Sequence, residues 1–93
     1  MPGYAIERDA YMRRLRLIEG QIRGLQHMIE EDRYCIDVLT QIASVTSALR
    51  GIGLGLVDEH LRNCVRDAVT EEPDRGEAKI HDAVVGIERL LRL

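Results

Sequence analysis

The chain has no tryptophan and no phenylalanine, and its three tyrosines are scattered. A core must therefore be built from Leu, Ile, Val, Ala and Met, which suits packed helices better than aromatic-rich sandwiches. Small side chains bury little area per chain, and long helices with so thin a core normally need partner chains to cover their apolar stripes. Oligomerisation is the expectation. Proline is also scarce, with two residues, and no apolar run approaches the length of a membrane span. The first residues, Met-Pro-Gly-Tyr-Ala-Ile-Glu-Arg-Asp, lack the apolar stretch of a signal peptide. A cytoplasmic protein without a membrane role is expected. Two cysteines in a reducing compartment argue against a disulfide and for a ligand or redox role. Basic residues are outnumbered, 13 against 16 acidic ones, for a net charge of −3. Bulk charge gives no attraction to nucleic acid, so any such role needs a locally basic surface.

At 93 residues the chain is one domain. Tyr11, Leu15, Ile18, Ile22, Leu25 and Ile29 recur in steps of four and three, a heptad-type seam that predicts a first helix over 9–30 with Asp9 as its N-cap. Residues 1–8 are expected to be a flexible N-terminus. Asp32 is placed to cap a second helix over 33–69, whose seam is Cys35, Val38, Ile42, Val45, Leu49, Ile52 and Leu56. A second row, Leu39, Ala43, Leu54, Val57, Leu61, Val65 and Ala68, widens its apolar face, so this helix touches neighbours on more than one side. Pro73, Gly76 and an Asp74/Glu77 pair resembling a capping box mark the start of a third helix over 75–92, with the seam Ile80, Val84, Ile87 and Leu91. Nothing alternates with period two over a strand's length, and no repeat or low-complexity tract is present. The fold class is all-α.

Three potential soft donors, Cys35, His60 and Cys64, fall on the second helix. His60 and Cys64 are spaced i, i+4, so an α-helix presents them on one face. Cys35 lies 25 residues before His60, and in an unbroken helix that is about 37 Å. An antiparallel second copy would bring its own Cys35 beside them, and two-fold symmetry would make two such sites. Gly51, Gly53 and Gly55 oppose continuity, each costing about 1 kcal/mol relative to alanine within a helix. A break there would instead fold residues 56–69 back, placing Cys64 near Cys35 in a monomeric four-helix bundle. Continuity is favoured, because the apolar seam keeps its phase through the glycines without a Pro, Asn or Asp turn signal.

Two thiolates and an imidazole suit Cu(I) or Zn(II), and the want of a fourth ligand tilts the choice to low-coordinate Cu(I). Cys35 falls near the third residue of its helix, where unpaired N–H groups and the positive end of the dipole favour a thiolate. The competing reading is that a lone cysteine on an apolar face is a small buried hydrophobe. His27 and His81 have no cysteine at ligand spacing, and Met28 reads as core filling. The glycines follow no strand and are not a dinucleotide fingerprint. No Ser/His/Asp grouping or paired-carboxylate cleft points to catalysis, so the chain is not expected to be an enzyme.

The runs Arg14-Leu15-Arg16-Leu17-Ile18-Glu19-Gly20-Gln21-Ile22-Arg23-Gly24-Leu25, Glu31-Asp32-Arg33-Tyr34-Cys35-Ile36-Asp37-Val38-Leu39-Thr40-Gln41-Ile42 and Glu59-His60-Leu61-Arg62-Asn63-Cys64-Val65 resemble the copper-sensitive operon repressor (CsoR) family, its actinobacterial members above all. The similarity runs from about Tyr11 to Leu91. The Cys, His, Cys set with tyrosine before the first cysteine is the copper pattern. Nickel and cobalt members use additional histidines, formaldehyde sensors lack the second cysteine and persulfide sensors lack the histidine.

The resemblance implies three helices per chain, an antiparallel four-helix-bundle dimer and a disc-shaped tetramer without a helix-turn-helix. It implies a repressor whose metal-free form binds operator DNA of copper-resistance genes. Cu(I), held by Cys35 of one protomer and by His60 and Cys64 of the other, causes release. Tyr34 matches a family tyrosine, and Asp82 stands where the family usually has Glu, one methylene longer; these groups are associated with the outer nitrogen of the liganding histidine. His27 replaces an Arg common in close relatives, and the three glycines replace a stretch richer in Ala and Ser. Family analogy points to Arg13, Arg14, Arg16 and Arg50 as DNA contacts. The alternatives are a thiol- or persulfide-responsive repressor of the same fold and a copper-buffering helical protein without DNA binding.

Overall fold

The computed structural model describes residues 4–5 and 7–92, the side chain of residue 73 excepted. Of the segment expected to be flexible, residues 1–3 and 6 lie outside the described residues, and Arg8 already belongs to a helix. Four α-helices follow in order: α1 (Arg8–Glu30), α2 (Cys35–Glu59), α3 (Arg66–Glu71) and α4 (Pro73–Leu91). A π-helical segment, His60–Val65, joins α2 to α3 without leaving helical backbone, since Glu59, Val65 and Arg66 all have right-handed helical dihedrals. Three helical runs thus account for most of the described residues, with no strand among them. This is the all-α class expected from the sequence.

The end of α1 overturns the expected role of Asp32. Its φ of 54° places it in the left-handed region, where a short polar side chain is tolerated better than most. The Asp32 N–H donates to the Ile29 carbonyl at 3.2 Å and the Arg33 N–H to the Met28 carbonyl at 3.0 Å. That pair of bonds is a Schellman motif. Asp32 therefore closes α1 and does not open α2. The cap of α2 is the Tyr34 carbonyl, which accepts from the N–H groups of Asp37 and Val38 at 3.0 and 3.2 Å. At the other end of α1, Asp9 sits within the first turn rather than before it, where its charge favours the helix dipole.

The expected capping box of the last helix is also replaced. Pro73 takes the first turn, where its missing N–H costs nothing. It also forces the residue before it out of helical geometry, and Glu72 is extended at φ −150° and ψ 120°. One residue thus separates α3 from α4. The Glu72 carbonyl accepts from Arg75 and Gly76 at 3.1 and 3.3 Å, and no side chain caps this end. Gly76 is buried against Val69, so close that a methyl group at position 76 would overlap the valine side chain.

The chain divides into two compact units, one of residues Asp9–Ile52 and one beginning at Gly53. In the first, Ile18 of α1 and Val38, Val45 and Ile52 of α2 are buried. In the second, Ala68 and Ala83 are buried, and Leu90 lies directly over Gly53. Ala83 takes the buried place on α4, while Ile80 and Val84 of the expected seam are exposed. No described side chain is completely buried, and Leu17, Ile29, Ile36, Leu39 and Leu54 are each more than half exposed.

Candidate metal centre and nucleic-acid interface

Cys35 is the first residue of α2, two positions nearer the helix end than expected, and its thiol is free and exposed. Position within the first turn leaves its surroundings with backbone N–H groups that no carbonyl of the same helix can satisfy. The helix that starts there continues through Gly51, Gly53 and Gly55 to Glu59. Their helical penalty is outweighed in place, since Ile52 between them is 6% exposed and Leu90 packs onto Gly53.

His60 and Cys64 both lie in the π-helical segment, which spans His60–Val65. A π turn bonds i to i+5, is rare, and recurs at functional positions inside α-helices. Both residues are half-buried, and Cys64 is a free thiol. The His60 ring is oriented by α4: its Nε2 lies 2.9 Å from the Lys79 carbonyl oxygen. A carbonyl can only accept, so Nε2 carries the proton and Nδ1 the lone pair. No described group bonds Nδ1, which leaves it available to a ligand. A backbone acceptor of this kind is not visible in the sequence.

Asp82 is one turn beyond Lys79 on α4 and is exposed, and the bond observed at His60 Nε2 goes to the Lys79 carbonyl. Tyr34 is 68% exposed. Glu59, immediately before His60, turns one carboxylate oxygen inward without a hydrogen-bond partner. Asp58 and Arg62 form a two-point ion pair at 3.0 and 3.1 Å across the junction of α2 with the π segment. Among the described residues of one chain, no three His, Cys, Asp or Glu side chains are grouped to hold a metal ion. His27, exposed at the end of α1, faces Glu30 at 3.6 Å.

The arginines fall into two sets. Arg23, Arg33, Arg62, Arg66 and Arg75 each lie within 4 Å of a carboxylate, at Glu19, Glu31, Asp58, Asp67 and Glu71 respectively. Arg8, Arg13, Arg14, Arg16, Arg50, Arg89 and Arg92 have no ion pair or side-chain hydrogen bond among the described residues, and all seven are exposed. The four expected to meet DNA, Arg13, Arg14, Arg16 and Arg50, are all in this second set, and all belong to the Asp9–Ile52 unit. Local charge can thus be positive on a chain whose net charge is −3. The same unit holds an open apolar groove of about 520 Å³ between α1 and α2, lined by Ile22, Leu25, Ile29, Val38 and Ile42.

Residues 7–89 match the family of metal-sensitive transcriptional repressors. The chain belongs to this family. It is 54% identical over 90 residues to the copper-sensing transcriptional repressor RicR of Mycobacterium tuberculosis, an alignment covering 97% of this chain and 94% of RicR. It is 48% identical over 63 residues to the copper-sensing transcriptional repressor CsoR of Bacillus subtilis, covering 68% of this chain and 62% of that protein. Its fold matches the crystal structure of the copper-sensing repressor CsoR with Cu(I) from Geobacillus thermodenitrificans at a TM-score of 0.86 and 38% identity, covering 98% of this chain and 93% of that one. The family is one of repressors and not of enzymes. Among the described residues, no helix is long and apolar enough to cross a membrane.

Proposed function

We propose that this chain is a cytoplasmic Cu(I)-responsive transcriptional repressor whose metal-free form binds the operators of copper-resistance genes and whose metal site is shared between two protomers. The observation that carries the reading is the placement of the donors on one continuous helix. Cys35 opens α2, while His60 and Cys64 lie beyond its last residue, with helical backbone throughout. Among the described residues of one chain no three such donors are grouped to hold a metal, and in this reading an antiparallel second copy supplies the missing thiol. The exposed apolar residues of α1 and α2 give such a copy a surface to cover.

The donor set fits the ion. Two free thiols and an imidazole are soft or borderline ligands, and three of them satisfy Cu(I), which accepts low coordination numbers. When bound, Cu(I) would link the first turn of α2 in one protomer to the π segment of the other. The protein's own contribution is to fix the imidazole. The Lys79 carbonyl holds Nε2–H and so aims Nδ1, and the π segment carries both His60 and Cys64. Tyr34, beside the Cys35 that the second copy supplies, and Asp82, one turn beyond Lys79 on α4, are assigned to the surroundings of the same histidine.

On the nucleic-acid side, Arg13, Arg14, Arg16 and Arg50 are free of internal carboxylates and contact phosphates. Such contacts give salt-dependent affinity, while sequence preference comes from base edges or DNA shape. A dimer of dimers brings several copies of this surface onto one duplex. Release on metal binding requires only that the metal-loaded state bind DNA less well than the metal-free one.

The test uses a duplex selected in vitro from a random-sequence library by the metal-free protein. Gel shifts with and without Cu(I) under reducing, anaerobic conditions should give a retarded complex that Cu(I) dissolves. Failure to select any duplex would overturn the repressor reading. A retarded complex indifferent to Cu(I) but dissolved by a persulfide donor would replace the trigger.

A further inference from the structure

Arg14 approaches α2 at Gly51. A methyl group placed on Gly51 would lie 3.2 Å from a terminal guanidinium nitrogen of Arg14, closer than ordinary van der Waals contact. A Cβ at position 51 would therefore push the guanidinium away by a few tenths of an ångström, and a longer side chain would displace it further. Gly51 is half-buried although both of its arginine neighbours, Arg50 in sequence and Arg14 in space, are exposed. No carboxylate draws Arg14 there, since it has no ion pair or side-chain hydrogen bond among the described residues. What allows the approach is the missing Cβ.

We infer that Gly51 is the seat of the Arg14 guanidinium, holding it on the flank of α2 next to Arg50 so that α1 and α2 present one phosphate-binding edge. This rests on the DNA-binding reading above and adds to it a positioning residue that carries no charge. A long arginine side chain loses rotamer freedom when it meets a phosphate, and a side chain already laid across a neighbouring helix loses less. Glycine is an expensive choice at the centre of a helix. Helix stability alone would favour Ala at position 51, so the glycine there reflects the approach of Arg14 and not a fold requirement.

The experiment measures binding of the full-length protein to the duplex selected in vitro, by fluorescence anisotropy, as a function of salt. Wild type, Arg14→Ala, Gly51→Ala, Gly51→Gln and the double variant Arg14→Ala/Gly51→Gln are compared. Arg14→Ala should lower affinity about fivefold near 0.15 M salt and reduce the salt slope by about 0.9 for each phosphate no longer neutralised. Gly51→Gln, whose side chain fills the seat, should reproduce both changes, and Gly51→Ala should give a smaller loss in the same direction. The double variant should bind no more weakly than Arg14→Ala alone. Thermal stability of Gly51→Ala should equal or exceed that of wild type, and Cu(I) affinity measured by chelator competition should be unchanged in both glycine variants. A purely structural role would do the reverse, lowering stability and leaving the salt slope intact.

Wild-type affinity and slope in folded Gly51→Gln would overturn the seat, as would additive losses in the double variant. An effect of Gly51→Gln with none from Arg14→Ala would also overturn it, while leaving the repressor reading in place. If wild type itself bound no selected duplex, the repressor reading would fail and the seat with it.

Discussion

His60 and Lys79 are joined by a 2.9 Å bond from the imidazole Nε2 to a main-chain carbonyl. The bond ties the π segment to α4 and settles which ring nitrogen is free. Because the acceptor is backbone, substitution of the Lys79 side chain leaves it in place. His60→Ala should keep duplex affinity within about twofold of wild type, because the ring is remote in role from the arginine surface, and should lose most of the Cu(I)-driven release. Anisotropy titrations with Cu(I) report both quantities. In the metal-free wild type, long-range proton–nitrogen spectra should find Nε2 protonated and Nδ1 bare; the opposite tautomer would remove Nδ1 as the ligand.

The division among arginines supplies its own control. Arg13→Ala and Arg16→Ala should each weaken duplex binding about fivefold near 0.15 M salt and lower the salt slope by about 0.9 per phosphate left unneutralised. Arg23→Ala should do neither, because Arg23 is already committed to Glu19 at 3.0 Å. Equal losses for Arg23 and Arg13 would show that ion pairing within the chain does not sort these residues.

Leu90 packs on Gly53 so closely that a methyl group there would sit 2.8 Å from the Cδ1 atom. Gly53→Ala gains about 1 kcal/mol of helix propensity, but overpacking costs roughly 1–3 kcal/mol. A net loss of about 1 kcal/mol is expected in urea denaturation at fixed protein concentration, with Leu90→Ala recovering part of it in the double variant. An increase in stability would mean that α4 yields freely at this point.

Asp32 carries the left-handed turn that ends α1, at φ 54°. Asp32→Gly should stabilise the chain by about 0.5–1 kcal/mol, since glycine meets no Cβ penalty in that region. Asp32→Val should destabilise it by more than that. Loss of stability in the glycine variant would show that the aspartate side chain itself holds the turn.

These residues also mark where the sequence is legible. Periodicity locates the first two helical runs because Ile18, Val38, Val45 and Ile52 recur at helical spacing and are the residues buried in the Asp9–Ile52 unit, whereas on α4 the buried residue is Ala83, outside the expected seam. The seam's unbroken phase through Gly51, Gly53 and Gly55 argues for continuity, and α2 does run through them. Capping is less legible, because Asp32 has the same chemistry whether it opens a helix or closes one. Only the backbone distinguishes the left-handed turn it adopts. Pro73 reads as part of a break yet is the first residue of α4, since the constraint it imposes falls on Glu72 before it. The π segment leaves the i, i+4 spacing of His60 and Cys64 untouched and so has no signature in the pattern. The Lys79 carbonyl is equally silent, being the same atom at every position. Family resemblance nominates the arginines, and their lack of internal partners is a fact of three dimensions.

Subunit complementation tests the shared metal site most directly. Cys35→Ala and Cys64→Ala proteins should each bind Cu(I) far more weakly than wild type in chelator competition. Heterodimers of the two, purified through different affinity tags, contain one intact set, with Cys35 of one protomer facing His60 and Cys64 of the other. They should recover wild-type affinity at half the wild-type stoichiometry. Heterodimers that bind no Cu(I) above the level of either single variant would contradict a site built between chains.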